Sequence, residues 1–196
     1  MRVFTYVIDH DLGFAPNPFH GTCTLAACKP RIRRYAERGD HVVGTGSAPN
    51  GITGHLSYWM RVGEIITFDE YWNRPEFAVR RPSMFGSRMQ RYGDNIYRHD
   101  EDGDWIQEDS FHSEMDGSTS EANLIRDTGA TQNVLIADAF AYWGGSGPKI
   151  PDEFSEFVHS TQGHKCRYPS HRVDVFAAWL HSLSETGLVG RPANWP

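Results

Sequence analysis

Residues 39–67 read GDHVVGTGSAPNGITGHLSYWMRVGEIIT, and their order decides the fold class. Gly39-Asp40 is a tight turn, where glycine accepts the backbone angles that let a chain leave a helix sharply. Residues 41–44 (HVVG) follow as a short apolar strand. Residues 45–54 carry Gly46, Ser47, Pro49, Asn50, Gly51 and Gly54, the composition of a hairpin-type loop. Residues 55–67 (HLSYWMRVGEIIT) give the longest strand signal of the chain. Gly44, Gly46 and Ser47 leave room for another group to approach the backbone. Helix, turn, strand, polar loop and long strand in that order predict an α+β fold.

Working outward, residues 2–8 (RVFTYVI) read as an opening strand, and residues 9–21, with Gly13, Pro16, Pro18 and Gly21, as a long structured loop. Pro30 suits the first turn of a helix ending at Glu37, whose inner face would use Ile32, Tyr35 and Ala36. Residues 69–72 start a short helix. Residues 73–133 form a loop-rich insertion with short strands around Ile96-Tyr97 and Trp105–Gln107. Residues 133–137 (NVLIA) are a further strand, and residues 141–151 a Gly-rich loop. Residues 172–183 place apolar side chains at 173, 175, 176, 179, 180 and 183, close to helical spacing. Without an internal repeat, residues 1–196 read as a single domain.

The composition, 39% hydrophobic with 6 Trp, 8 Tyr and 11 Phe, supplies a real core and excludes a disordered chain, a collagen and a coiled coil. No apolar run is long enough to span a membrane, and residues 1–9 lack the pattern of a secretory signal. Three cysteines make no disulfide framework and read as reduced thiols, so a cytoplasmic protein is expected. The net charge of −6 is uneven: residues 1–93 hold 12 basic and 8 acidic residues, residues 94–196 hold 7 and 17. Eighteen of the 19 basic residues have no core role on this reading. Lys29, Arg31, Arg34, Arg80 and Arg81 are the candidate phosphate ligands, since arginine pairs with phosphate in two-pronged fashion. The alternative is that these cations pair with the chain's own acidic half.

The pattern over residues 39–67 resembles the PUA-like superfamily of small β-barrels, in particular its EVE and ASCH branches. That resemblance implies a barrel with flanking helices and a pocket for a modified or flipped base. From Met1 to about Lys165, most of its length, the chain is similar to a second family through Gly13-Phe14-Ala15-Pro16-Asn17-Pro18-Phe19-His20-Gly21, Cys23-Thr24-Leu25, Cys28-Lys29-Pro30, Tyr92-Gly93-Asp94-Asn95-Ile96-Tyr97, Gln107-Glu108-Asp109-Ser110, Phe140-Ala141-Tyr142-Trp143-Gly144-Gly145 and Gly163-His164-Lys165. This is the bacterial and phage group of nucleotide modification associated domains, second type. It implies an association with base-modification and phage-conflict systems, and no reaction or catalytic residue.

Aromatic faces stack on bases, so Tyr58, Trp59 and Trp143, with Trp72, are candidate base platforms; the alternative is that they fill the core. Asn17, Ser47 and Asn95, with Asp109, are candidates for a base edge. Asp94, Glu108, Asp109, His112 and Asp127 form a carboxylate and histidine set, from which Asp109, His112 and Asp94 are the candidate catalytic residues. Cys23 or Cys28 could serve as a nucleophile, its pKa lowered by Lys29 and the following helix start, but lacks a partnered base in sequence. His20, Cys23, Cys28, His164 and Cys166 fit no usual zinc spacing, so no metal site is assigned and no cofactor is identified. Residues 144–149 (GGSGPK) lack a P-loop ending, and Gly44-Thr45-Gly46 is no dinucleotide fingerprint. Three functions follow: reading a modified or flipped base, an enzyme acting on such a base or nucleotide, or a structural subunit of a modification complex. The partners expected are nucleic acid or nucleotide and DNA-modification enzymes, without a membrane.

Overall fold

The computed structural model describes residues 1–195 and shows a mixed α+β architecture built on one curled six-stranded sheet. Strands β1 (Val3–Ile8) and β2 (Thr24–Leu25) precede helix α1 (Pro30–Tyr35), and β3 (His41–Gly46) and β4 (Leu56–Thr67) follow it. Helices α2 (Phe68–Asn73) and α3 (Arg88–Arg91), the small hairpin β5 (Tyr97–His99) and β6 (Trp105–Gln107), and helix α4 (Glu121–Thr128) make up most of the next stretch. Strand β7 (Asn133–Tyr142), helix α5 (Ser170–Ser182) and β8 (Gly187–Leu188) complete the chain. The large sheet runs β1-β3-β4-β7-β2, with β8 beside β7. Among the described residues, only β1–β3 and β7–β8 are parallel pairs.

β4 is the centre because it is the longest strand, 12 residues, and pairs on both sides. The register slips at Gly44/Thr45 against β3 and at Arg61/Val62 and Val62/Glu64 against β7. Such bulges bend and twist a sheet, and the result is a half-barrel with β1 and β2 at opposite ends of the pairing order. Gly63 sits in the bulge, where a Cβ would lie 2.5 Å from the Asp138 Cβ. The space beside Gly44 is taken by the chain itself: a Cβ there would meet the Tyr58 ring at 2.6 Å and Ile8 at 2.4 Å.

Side chains alternate across a strand, and both faces of this sheet are buried. One face joins Phe4, Tyr6, Val42, Tyr58, Met60 and Tyr142 to Ile32 and Ala36 of the α1 region. The other packs Val43, Trp59, Ala141 and Trp143 under Val173, Phe176 and Leu180 of α5 and under Phe154 and Phe157. A third cluster ties residues 73–133 down: Phe77, Ile96 and Tyr97 pack on Ile66, Phe68, Tyr71, Val134 and Ile136. The expected short strands at Ile96-Tyr97 and Trp105–Gln107 appear as β5 and β6. β7 continues to Tyr142, beyond its expected end, because residues 138–142 keep pairing with β4. No helix of the described residues is long and apolar enough to cross a membrane.

Two expectations about charge and faces are corrected. Tyr35 is 53% exposed, and Arg33 takes the inward position on α1 at 0%. Its guanidinium donates to the Cys28 and Asn133 carbonyls, each at 2.8 Å, and to the Asp127 carbonyl. Arg80, expected at a phosphate, is 1% exposed. It donates to Asn17 Oδ1 (2.8 Å), Thr24 Oγ1 (2.9 Å) and the carbonyls of Phe19 and Thr22. Asp94 lies 3.9 Å away and accepts from Thr24 Oγ1 (2.6 Å) and Tyr71 Oη (2.8 Å). Arg80 thus fastens the loop before β2 to the segment after α2, and its donors are occupied inside the protein.

Removing one partner of a buried, fully bonded charge pair costs about 3–5 kcal/mol. Arg80→Ala is expected to lose that much in urea unfolding, while Arg81→Ala, at an exposed neighbour that holds only the Trp72 ring and carbonyl, loses about 1 kcal/mol. Equal midpoints for the two variants would contradict this assignment.

Candidate functional site

The site begins in the connection from β2 to α1. Ala26 and Ala27 are buried, and the next two residues, Cys28 (φ 56°) and Lys29 (φ 44°), both adopt left-handed backbone. Neither is glycine, and each such residue costs about 1–3 kcal/mol. The turn is held from two sides. The Cys28 N–H donates to Asp127 Oδ1 at 3.0 Å, and the Cys28 carbonyl accepts from Arg33 Nε. The consequence is that the half-buried thiol is aimed at the end of α4 and at the loop after β6.

His112 from that loop meets it. Cys28 Sγ is 3.7 Å from His112 Nε2, and His112 Nδ1 is 2.8 Å from Asp127 Oδ2. The His112 backbone is fixed because its carbonyl accepts from Asn123 Nδ2 (2.7 Å) and Gln107 Nε2 (3.1 Å). The Phe14 ring lies edge-on to the imidazole, 4.5 Å between centroids. Asp127 has no exposed surface and also accepts from Tyr97 Oη (3.0 Å) and Arg126 Nε (3.1 Å). Burial alone would raise its pKa, but His112 and Arg126 outweigh that and hold the carboxyl at about 2. Asp127 is therefore ionised, which draws the imidazole proton to Nδ1 and turns the Nε2 lone pair toward sulfur.

Burial, and then the Asp127 charge, push the Cys28 thiol up to about 11, with Arg126, Lys29 and Arg33 offsetting only part. Cys23 is fully buried and is raised further, also by burial. The expected lowering of a cysteine pKa is thus reversed: desolvation exceeds the nearby cations. Cys28 rests as a thiol, and its proton must pass to a base as it reacts. The arrangement of nucleophile, imidazole and orienting carboxylate is that of an activated-nucleophile site.

Cys28 and His112 open into a cavity of about 410 Å³, within the range of small-molecule sites. Tyr6, Phe14 and Phe111 supply aromatic wall, and Lys29 and Arg126 supply positive charge. Lys29 Nζ lies 4.4 Å over the Tyr6 ring. Phe111, 46% exposed, stands against Phe14 at 5.5 Å.

Cys28, His112 and Asp127 also bring three possible metal ligands together, their donor atoms within 4.8 Å of one another. Arg126 Nη2, 3.1 Å from His112 Nδ1 and 3.2 Å from Nε2, sets a fixed cation against that same imidazole. Three ligands beside a guanidinium fit a polar relay better than a structural zinc site, which takes four. The other sulfur and histidine candidates do not converge: Cys23 is in the core, and Cys166 and His164 line a different groove.

The remaining sequence candidates are scattered. Asp109 is exposed and lies with Glu108, Trp72 and Arg81 at a third cavity, away from His112. Asp94 is buried beside Arg80. Tyr58 is in the sheet core with its hydroxyl 2.9 Å from that of Tyr6. Trp59 and Trp143 are each 2% exposed beneath α5, and Trp143 Nε1 donates to Glu185. Asn17 and Asn95 are buried and donate to the carbonyls of Tyr92 and Tyr71; Ser47 is buried as well. These base-binding and acid/base candidates, Asp109 apart, are closed to solvent by packing, and none lines the Cys28 cavity. Lys29 does line it, Arg31 and Arg34 are exposed on α1, and Arg81 lies on the Trp72 ring at 4.0 Å. In sequence His112 and Asp127 fall in one carboxylate and histidine set and Cys28 in another, with nothing to mark Tyr6, Phe14, Phe111 and Arg126 as their neighbours.

Because the Cys28 backbone is left-handed, glycine fits it better than alanine. Cys28→Gly is expected to unfold about 1 kcal/mol later than Cys28→Ala in chemical denaturation. An alanine variant at least as stable as the glycine one would show that the turn is unstrained.

No curated protein and no solved structure matches the chain. The profile of one family, described as nucleotide modification associated domain 2, matches it from residue 1 to residue 196. The chain that carries this cysteine, histidine and aspartate site therefore belongs to the nucleotide modification associated domain 2 family.

Proposed function

We propose that the protein is a thiol-dependent enzyme acting on a modified base or nucleotide, with Cys28 as nucleophile, His112 as general base and acid, and Asp127 as the group that orients and charges the imidazole. The observation that carries the reading is the Cys28–His112–Asp127 relay opening into an aromatic, cationic cavity. Membership of a family described as associated with nucleotide modification supports a base or nucleotide as the substrate. The chemistry that fits is transfer or hydrolysis of a carbonyl-linked group. His112 Nε2 takes the Cys28 proton as sulfur bonds to the carbonyl carbon. The bond to the leaving nitrogen or oxygen breaks as His112 returns that proton to it. Water then cleaves the thioester by the same base and restores the thiol. A base would stack on the exposed Phe111 ring, with the buried Phe14 and Tyr6 rings as the cavity floor, and Lys29 and Arg126 would hold phosphate or developing negative charge.

A second reading rests on the resting thiol and its 3.7 Å separation from Nε2: the cavity recognises a flipped or modified base without chemistry. The half-barrel is compatible with the PUA-like architecture in which such readers are built. Three free cysteines suit a reducing cytoplasm, and modification enzymes acting on the same nucleic acid are the natural partners.

Oligonucleotides bearing N-acylated cytosine or adenine, incubated with the protein and digested for nucleoside mass spectrometry, test the enzyme. The parent is expected to remove the acyl group. Cys28→Ala and His112→Ala should reduce turnover at least about 10³-fold and Asp127→Asn at least about 10²-fold, the scale of triad members. Cleavage that survives Cys28→Ala would eliminate the thiol mechanism, and binding without cleavage would favour the reader.

The pH dependence has a definite sign. A thiol with a pKa of about 11 gains thiolate tenfold per pH unit below that value. Iodoacetamide labelling of Cys28, followed by peptide mass spectrometry, should therefore climb steadily from pH 7 to pH 10. A rate already flat at pH 7 would reveal a preformed thiolate instead.

A further inference from the structure

A second groove of about 870 Å³ is lined by Arg31, Arg34, His164, Lys165, Cys166 and Arg167, among others, with no carboxylate in its lining. Arg31 and Arg34 are one turn apart on the exposed side of α1, opposite the inward Ile32 and Arg33. The facing wall is residues 164–167, anchored where Lys165 forms two backbone hydrogen bonds of 2.9 Å with Thr5 on the edge of β1. Among the described residues, Arg31, Arg34, Lys165 and Arg167 enter no salt bridge. Arg34 lies over the Tyr35 ring, and Lys165 donates to a backbone carbonyl of Glu156 at 3.4 Å. In a chain of net charge −6, three arginines without carboxylate partners, joined by Lys165, whose ammonium lies near Glu156 and over the Tyr168 ring, make the groove a cationic surface.

The groove adjoins the Cys28 cavity. The same two segments line both: Cys28 and Lys29 lead into Arg31, and Gln162 leads into His164. His164, whose pKa falls through burial and then through Arg31, His159 and Lys29, feels cations from both openings, while Asp9 is the carboxylate on the cavity side. A cavity of 410 Å³ has room for one nucleotide and not for a stacked duplex.

We propose that the groove carries the phosphate backbone of a nucleic-acid single strand and delivers one unstacked nucleotide of that strand to the Cys28 cavity. This rests on the Cys28 cavity being a nucleotide site, and it makes the substrate a polynucleotide. Phosphates of the strand pair with Arg31, Arg34, Lys165 and Arg167, and one base passes Lys29 to lie against Phe14 and Phe111. An acidic protein segment is the competing occupant.

Fluorescence anisotropy of a labelled thymidine 12-mer against the whole chain, titrated from 50 to 200 mM salt, tests the groove. Four neutralised phosphates on a single strand predict a slope of log affinity on log salt of about −3, an affinity loss of roughly 50-fold over that range. The double variant Arg31→Gln/Arg34→Gln should reduce the loss to roughly 7-fold, and Arg167→Gln should weaken binding at low salt. Each titration is run in parent and Cys28→Ala protein, so a failure of thiol chemistry leaves the binding readout intact. A 12-mer carrying 5-iodouracil, irradiated and mapped by peptide mass spectrometry, should cross-link to Phe14, Phe111 or Tyr6. Three results would each overturn the proposal: salt-insensitive or absent binding, cross-links confined to residues outside the cavity, or tighter binding of a polyglutamate peptide than of the 12-mer.

Discussion

The carboxylate of Asp127 is the interaction on which the site depends. It has no exposed surface, and it accepts hydrogen bonds from the Cys28 backbone, the His112 ring, the Tyr97 hydroxyl and Arg126. Its own backbone carbonyl accepts from Arg33. Four pieces of chain remote in sequence, the β2–α1 turn, β5, the loop after β6 and the end of α4, therefore share one charge. A buried charge is tolerated only when it is paired and bonded, and here the groups that satisfy it are those whose positions the chemistry needs. The strained backbone at Cys28 and the tautomer of His112 both follow from that one anion.

The sheet supplies the stage. Because both of its faces are covered, Tyr58, Trp59 and Trp143 are buried in the layers on either side of the sheet. The opening is found instead where β1, the 9–15 loop, the β2–α1 turn and residues 111–112 meet. A loop-rich segment that contributes little to the sheet contributes the base of the relay. It can do so because its apolar residues, Phe77, Ile96 and Tyr97, are packed firmly on the end of the β4–β7 pair.

Much of the fold was legible. The opening strand, the 39–67 pattern, the long central strand, the two short strands in the insertion and the C-terminal helix all follow from turn chemistry and apolar spacing, which act locally. What was not legible is set by contacts between distant residues. Thr24–Leu25 is a strand only because β7 lies beside it. Arg33 and Arg80 read as surface cations and lie inside because carbonyls from other segments surround them. For the site, His112 and Asp127 stood in one polar set in sequence, but nothing singled out Asp127 as the partner of His112, and a separation of 84 residues gave no reason to join Cys28 to them. Asp109, the candidate chosen in place of Asp127, is only three residues from His112, yet the loop turns the two apart.

One feature of the groove wall bears on how the chain behaves in a crowded solution. β1 sits at the end of the large sheet's pairing order, and an unguarded edge strand invites pairing with another molecule and fibre formation. Lys165 occupies the middle of that edge through its bonds to Thr5, and Tyr168 adds a hydroxyl contact to the same threonine. The residues that present positive charge to a groove thus also block self-association, so loosening this segment would expose a template for aggregation as well as remove a ligand surface.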